Sequence, residues 1–349
     1  MGIVWQSDLE QPTPLPERLP DLALPPLPRR TRRRTWLLLV LLLVTLAFAL
    51  SHETRTSQLQ AWALSRYAES LVYRLQPGPS DALFFPEAGP FDKRLGYAYL
   101  PQMLERLQAR DYVIQQQVRF SPALRAYSRK GFFVPYPEKI QSGLLISDCR
   151  GTPLYQFHYP QHLYTRFDDI PPLVVDSLLF IENRNLLEPG EPQANPAVDW
   201  PRFAKAALSQ LGKAVGRREQ SAGGSTLATQ LEKYRHAPDG LTLSAADKLR
   251  QMLSASVRAY QAGPETLDTR QRIVRDYLNS VPLSAVPGHG EVHGLAEGLR
   301  VWFGADFTQV NLLLDPSRSP QASAAERGLA LRQVLSLMIA QRRPTYYLG

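Results

Sequence analysis

Fifteen consecutive uncharged and almost wholly apolar residues, Trp36–Leu50 (WLLLVLLLVTLAFAL), limit what this chain can become more than any other feature. A bilayer core takes roughly 17–25 residues of helix. Thr35 and Ser51 lengthen the run, and flanking arginines can reach back to the interface. A buried core helix is the ordinary alternative for a run of this size. However, five arginines in Arg29–Arg34 (RRTRRR) abut its N-terminal side, and that arrangement keeps the preceding segment in the cytoplasm. The sequence therefore predicts a cytoplasmic tail over 1–35, a single membrane-spanning helix over 36–52 and an extracytoplasmic remainder. Ala47-Phe48-Ala49 has the spacing of a cleavage site, but so long a charged leader suits an anchor better than a signal peptide.

The formal net charge of +8 favours an anionic partner. Residues 1–35 hold six arginines against four acidic residues, which leaves +6 on the rest of the chain. A basic body tethered beside a membrane fits phospholipid or lipid-diphosphate ligands. No nucleic-acid-binding motif accompanies the charge, so nucleic acid is not expected as a partner. The one cysteine, Cys149, excludes an intrachain disulfide.

Seven prolines between Pro12 and Pro28 interrupt any helical or strand period, and this tail reads as an extended tether. Beyond the anchor, apolar spacing predicts a helix over Gln58–Leu75, and four prolines and two glycines make Gln76–Arg94 a linker. A helix over Leu100–Arg110 and a β-rich run over Tyr112–Phe120 suggest a small α+β module filling 53–138. A further strand, Gly143–Asp148, precedes a C-terminal part, 139–349, that is helical almost throughout from Pro171.

Three helical segments carry polar groups that a plain core would not need. In Pro171–Arg184 two prolines open a helix whose Leu173, Val174, Leu178 and Ile181 bury one face. Glu182 ends it, behind Phe180 and Ile181; a carboxylate against an apolar wall suits a general base near neutral pH. In Gly223–Lys233 (GGSTLATQLEK), Ser225 is the expected N-cap, and the paired glycines let a ligand approach the backbone. Thr226, Gln230 and Lys233 then share a face. A capped helix start with a lysine on the same element makes a credible diphosphate site, although it lacks the P-loop pattern. In Asp247–Tyr260, Leu249, Leu253, Val257 and Tyr260 form the expected buried stripe, and Lys248, Arg250, Gln251 and Arg258 form a basic polar ridge. His289 and His293 flank Glu291, but Gly288, Gly290 and Gly294 break any helix that would join them, so no metal site is expected. Neither SxxK nor KTG occurs, so no penicillin-reactive transpeptidase domain is present in this chain.

In order, these pieces resemble the glycosyltransferase module of class A penicillin-binding proteins and monofunctional transglycosylases, glycosyltransferase family 51. The resemblance spans about Lys139–Gly349 and rests on Ile170–Val174 with Phe180–Asn183, Asp199–Ala206, GGSTLATQLEKY (Gly223–Tyr234), Asp247–Gln251, Ile273–Asn279 and Trp302–Gly304. It implies a mostly α, lysozyme-like fold with a membrane-associated jaw, held periplasmic by one helix in a bacterial inner membrane. It also implies lipid II as substrate and undecaprenyl diphosphate as leaving group, with a divalent cation, Mg or Mn, as the one cofactor it allows for. Other cell-wall synthesis proteins would be natural partners. The glutamate matched by Glu182 is the family's catalytic base. Gln251 stands where the family has a second catalytic carboxylate, and Gly224, Ser225, Thr226, Gln230, Lys233, Lys248 and Arg250 fall among or beside the substrate-holding positions.

The chain departs from the family pattern at Gln251, Asn183, Ala228, Thr229 and Tyr234, and its Leu187–Val198 stretch reads as longer. An amide at 251 can hydrogen-bond but cannot hold a transferable proton. Two readings follow: a polymerising enzyme, or a catalytically impaired relative that binds lipid II or wall-synthesis proteins as a scaffold.

Overall fold

The computed structural model describes residues 29–81, 85–86, 89–205 and 225–348. The proline-rich tail and the glycines Gly223 and Gly224 lie outside the described residues. Helix α1, Arg29–Thr56, is longer than the span expected at 36–52, because the arginines and Ser51–Thr56 continue the same helix. Its stretch Arg34–Thr56 is long and apolar enough to cross a membrane, and the apolar side chains of Trp36–Leu50 are exposed all round. At 1.5 Å per residue such a stretch reaches about 35 Å, which matches a bilayer core. Residues 1–50 form one unit and residues 51–349 a second, compact one.

The second unit opens with α2, Gln58–Ser70, entered through a left-handed Ser57. The Glu53 carboxylate accepts the first free N–H groups, from Leu59 and Gln60, at 2.8 and 3.0 Å. The helix stops short of the expected Leu75. Tyr73–Pro77 is instead strand β1, paired antiparallel with β2, Gln116–Phe120, in the register Tyr73↔Phe120. Cross-strand pairing of Tyr73 with Phe120 and of Leu75 with Val118 overrides the helix-like spacing of Leu71 and Leu75, an instance of tertiary context beating local pattern. The expected linker at 76–94 likewise holds the end of β1 and a short helix, α3, Pro90–Arg94. Next come α4, Leu100–Gln108, and α5, Pro122–Arg129, the latter capped by Ser121 Oγ accepting from Leu124 N–H at 3.1 Å. Strands β3, Ser142–Ser147, and β4, Pro153–Tyr159, form a hairpin whose turn is tied by Asp148 accepting from the N–H groups of Arg150 and Thr152.

From there the described chain is helical apart from one hairpin. The helices are α6 (Pro172–Glu182), α7 (Leu227–His236), α8 (Ala245–Ala259), α9 (Leu267–Ser280), α10 (Gly294–Phe303), α11 (Phe307–Leu313), α12 (Ala324–Ala340) and α13 (Pro344–Leu348). Strands β5 (Pro282–Val286) and β6 (Gly290–His293) sit between α9 and α10. The fold is therefore mostly α, with three two-stranded sheets among the described residues. Val174, Leu178, Leu227, Val274, Leu299 and Leu337 meet in the main core, so α6, α7, α9, α10 and α12 share one apolar centre.

Helix α8 corrects the expected stripe. Leu249 and Leu253 are exposed, whereas Gln251, Ser254, Ala255, Ser256, Val257 and Ala259 are buried. The helix packs against α7 on one side and α2 on the other. Small residues let three helices approach closely, and a hydrophobicity count does not weight them. Leu124, Tyr127, Ala68 and Leu71 pack on Val257, joining α2 and α5 to α8 in a second core.

Candidate active site

Glu182 is the last residue of α6, which ends because Asn183 adopts an extended backbone. Its side chain is buried, but the wall around it is polar rather than apolar. Gln341 Nε2 donates to Oε1 at 3.0 Å, and Arg342 Nε and Nη2 donate to the same oxygen at 3.3 Å each. Gln230 Nε2 donates to Oε2 at 3.1 Å. Phe180, expected as part of an apolar wall, is turned outward and 65% exposed. The Gln230 carbonyl accepts from the hydroxyls of Tyr234 (3.1 Å) and Tyr277 (3.2 Å), which fixes the amide so that its NH2 faces the carboxylate. Burial holds both phenols well above their ordinary range, Tyr234 at about 12, so they stay protonated donors. Two arginines steady the helix end: Arg202 donates to the Glu182 carbonyl at 2.6 Å and Arg342 to the Ile181 carbonyl at 3.0 Å.

Helix α7 supplies the neighbouring wall. Its N-cap is Thr226, one residue later than expected. Thr226 Oγ1 accepts from Thr229 N–H at 3.3 Å and Thr229 Oγ1 accepts from Thr226 N–H at 2.9 Å, a reciprocal capping box. Threonine at 229 thus does the capping, and Ser225 is released to accept from Lys248 Nζ of α8 at 2.7 Å. One turn on, Lys233 Nζ lies 4.6 Å from the centre of the Tyr234 ring. Burial lowers the ammonium pKa of Lys233, and burial with the nearby Lys233 charge brings Lys248 down to about 8. Neither lysine has a carboxylate partner among the described residues. Two half-buried ammonium groups without a carboxylate partner among the described residues form a place for an anion.

Glu182, Ser225, Gln230 and Lys233 line one open cleft of about 1260 Å³, together with Arg202 and Arg342. Lys248 stands behind Ser225. The other expected residues fall elsewhere. Thr226 is buried as the cap. Arg250 pairs with Asp247 of its own helix at 3.0 Å. Gln251 is 1% exposed with its amide 3.0 Å from the Thr242 hydroxyl, away from the cleft. Gly224 lies outside the described residues. Sequence reasoning missed Arg202, Gln341, Arg342 and Arg94 of the cleft lining. The available signal was the polar triplet Gln341-Arg342-Arg343 closing the apolar helix α12.

His289 Nε2 lies 3.4 Å from Glu297 and His293 Nε2 2.9 Å from Glu291, so the two imidazoles stand beside different carboxylates. No three His, Cys, Asp or Glu side chains converge among the described residues. Of the cleft's three acids, Glu182 is engaged by Arg342, Glu291 by His293, and Asp239 converges with no two other such side chains among the described residues, so the described donor set does not fit a divalent cation, and no step below passes through one.

A profile of the transglycosylase family matches residues 150–348, more than half of the chain. Penicillin-binding protein 1B of Vibrio cholerae serotype O1 is 30% identical over 189 residues, covering 51% of this chain and 22% of that protein. The chain thus spans about a fifth of its relative's length.

Proposed function

Because the chain belongs to the transglycosylase family, we propose that it polymerises the glycan of peptidoglycan from a lipid-linked disaccharide at a membrane surface. The observation that carries this reading is the placement of Glu182 in a cleft whose next wall presents Lys233 and the Lys248–Ser225 pair. In this mechanism Glu182 takes the proton from the 4-hydroxyl of the acceptor GlcNAc of lipid II. The freed oxygen attacks the anomeric carbon of the donor MurNAc, the bond to undecaprenyl diphosphate breaks with its electron pair, and inversion gives a β-1,4 link. Lys233 and Lys248 offset the charge growing on the departing diphosphate, and Ser225 orients the Lys248 ammonium. Gln230, locked by Tyr234 and Tyr277, holds the base in line, and Arg342 with Gln341 holds it from the other side.

The topology fits this chemistry. Helix α1 would cross a bacterial inner membrane with the arginine block cytoplasmic, holding the basic second unit near anionic lipid on the periplasmic side. A second reading, a scaffold that binds lipid II or other wall-synthesis proteins without turnover, is favoured by Gln251, an amide buried off the cleft. Incubation of the purified protein with labelled lipid II separates the two. High-molecular-weight glycan supports the enzyme; bound lipid II with no polymer supports the scaffold.

A further inference from the structure

The family match begins at residue 150, yet one wall of the cleft is built upstream, by Pro90, Phe91 and Arg94 of α3. Three features fasten α3 to the C-terminal end of α7, the helix that brings Gln230 and Lys233 to the cleft. At Gly89 the backbone has φ +111°, and a Cβ there would stand 2.5 Å from the Arg235 carbonyl and 2.8 Å from His236 Cα, so the two backbones touch. Asp92 is 1% exposed and lies 2.9 Å from His236 Nδ1, and the other imidazole nitrogen lies 2.7 Å from Glu138. Phe91 is buried, with the guanidinium groups of Arg94 (5.4 Å) and Arg235 (5.3 Å) near its ring.

Those two arginines differ in what they hold. Arg235 is 3.3 Å from Asp276 and so is paired. Arg94 has no carboxylate within ion-pair distance and no hydrogen-bond acceptor among the described residues. Burial pulls its guanidinium below its ordinary value, with Glu291 acting against this from farther off. A guanidinium held over an aromatic ring, with its planar fork of N–H groups unspent among the described residues, matches a carboxylate or phosphate.

We propose that Arg94 is a substrate-binding residue, supplied from outside the family-matched region, that grips an anionic group of the glycolipid in the cleft. This rests on the reading of the cleft given above. The anion is a phosphate oxygen or a stem-peptide carboxylate, and two soluble probes tell them apart. Farnesyl diphosphate carries the diphosphate without sugar, and a disaccharide-peptide carries the carboxylates without phosphate or lipid. Both are titrated calorimetrically into the detergent-solubilised full chain, with Arg94→Ala and Arg94→Lys alongside. Arg94→Ala is expected to weaken one probe roughly ten- to hundredfold, the effect of one lost charge-assisted contact, and Arg94→Lys to recover part of it. The responding probe identifies the group gripped. Near-ultraviolet circular dichroism checks folding, and Arg94→Gln serves if the alanine variant unfolds. Wild-type protein that binds both probes, with unchanged affinity in a folded Arg94→Ala or Arg94→Gln variant, overturns the role of Arg94 and leaves the cleft reading standing. Wild-type protein that binds neither probe overturns both.

Discussion

The guanidinium of Arg342 stands 3.3 Å from Oε1 of Glu182, across 160 residues of sequence. Arg342 follows the end of α12 and Glu182 ends α6, so the contact forms only when the two helices pack through the shared core. The Arg342 side chain is 57% exposed, so solvent screens and weakens the pair. Arg342→Ala is therefore expected to change unfolding free energy by less than about 1 kcal/mol. The same change should slow polymer formation clearly, because Glu182 loses one of its anchors. A large drop in melting temperature with unaltered activity would assign Arg342 to stability alone.

Lys233 and Lys248 should act on the leaving diphosphate. Lys233→Ala is expected to weaken binding of lipid II or of a phosphoglycolipid inhibitor by about 1.5–3 kcal/mol, roughly ten- to hundredfold. Lys248, lowered to about 8 by burial and by Lys233, is charged below that pH and neutral above it. Affinity for the diphosphate should then fall as pH rises through about 8 in the wild type, and this step should be absent in Lys248→Met. An identical step in Lys248→Met would assign the titration to another group.

Gln251 is buried against Thr242 and does not line the cleft. Gln251→Glu would place a carboxylate where, among the described residues, the Thr242 hydroxyl is the side-chain partner. The expected outcome is destabilisation of about 1–3 kcal/mol, read by urea unfolding, with no gain in polymer. A faster enzyme of unchanged stability would show that this position reaches the reacting atoms.

His236 is clamped by Asp92 and Glu138. Burial alone would lower its pKa, but the two carboxylates overcome this and raise it to about 9 from 6.5. Because the folded value is the higher one, the stabilisation is fully present below pH 6.5 and is lost as pH rises through about 9. Thermal melts across that window should show a decline in wild type that His236→Gln lacks. Equal declines in both would remove His236 as its source.

Much of this was legible in the sequence. Glu182, Ser225, Gln230 and Lys233, each a modest signal alone, were singled out by the order of the motifs along Pro171–Arg184 and Gly223–Lys233, and they reach one cleft. Local pattern could not show that Thr229 completes a capping box with Thr226 and thereby moves the N-cap off Ser225. Nor could it show that small residues rather than leucines bury α8, because that choice depends on how closely α2 and α7 approach. Arg94, and the role of the Gln341-Arg342-Arg343 triplet, were missed for a different reason: each enters the cleft through packing between elements far apart in the chain, which no spacing along one helix encodes.

The reading of Glu182 as the base is tested most directly by polymer formation from labelled lipid II, wild type against Glu182→Gln, with lipid II binding measured in parallel. The substitution keeps the size of the side chain and one of the two oxygens that accept from Gln230 and Gln341, and it removes the ability to take a proton. Polymer from the wild type, none from Glu182→Gln and nearly equal binding by both is the expected result. Polymer made by Glu182→Gln at the full wild-type rate would contradict it.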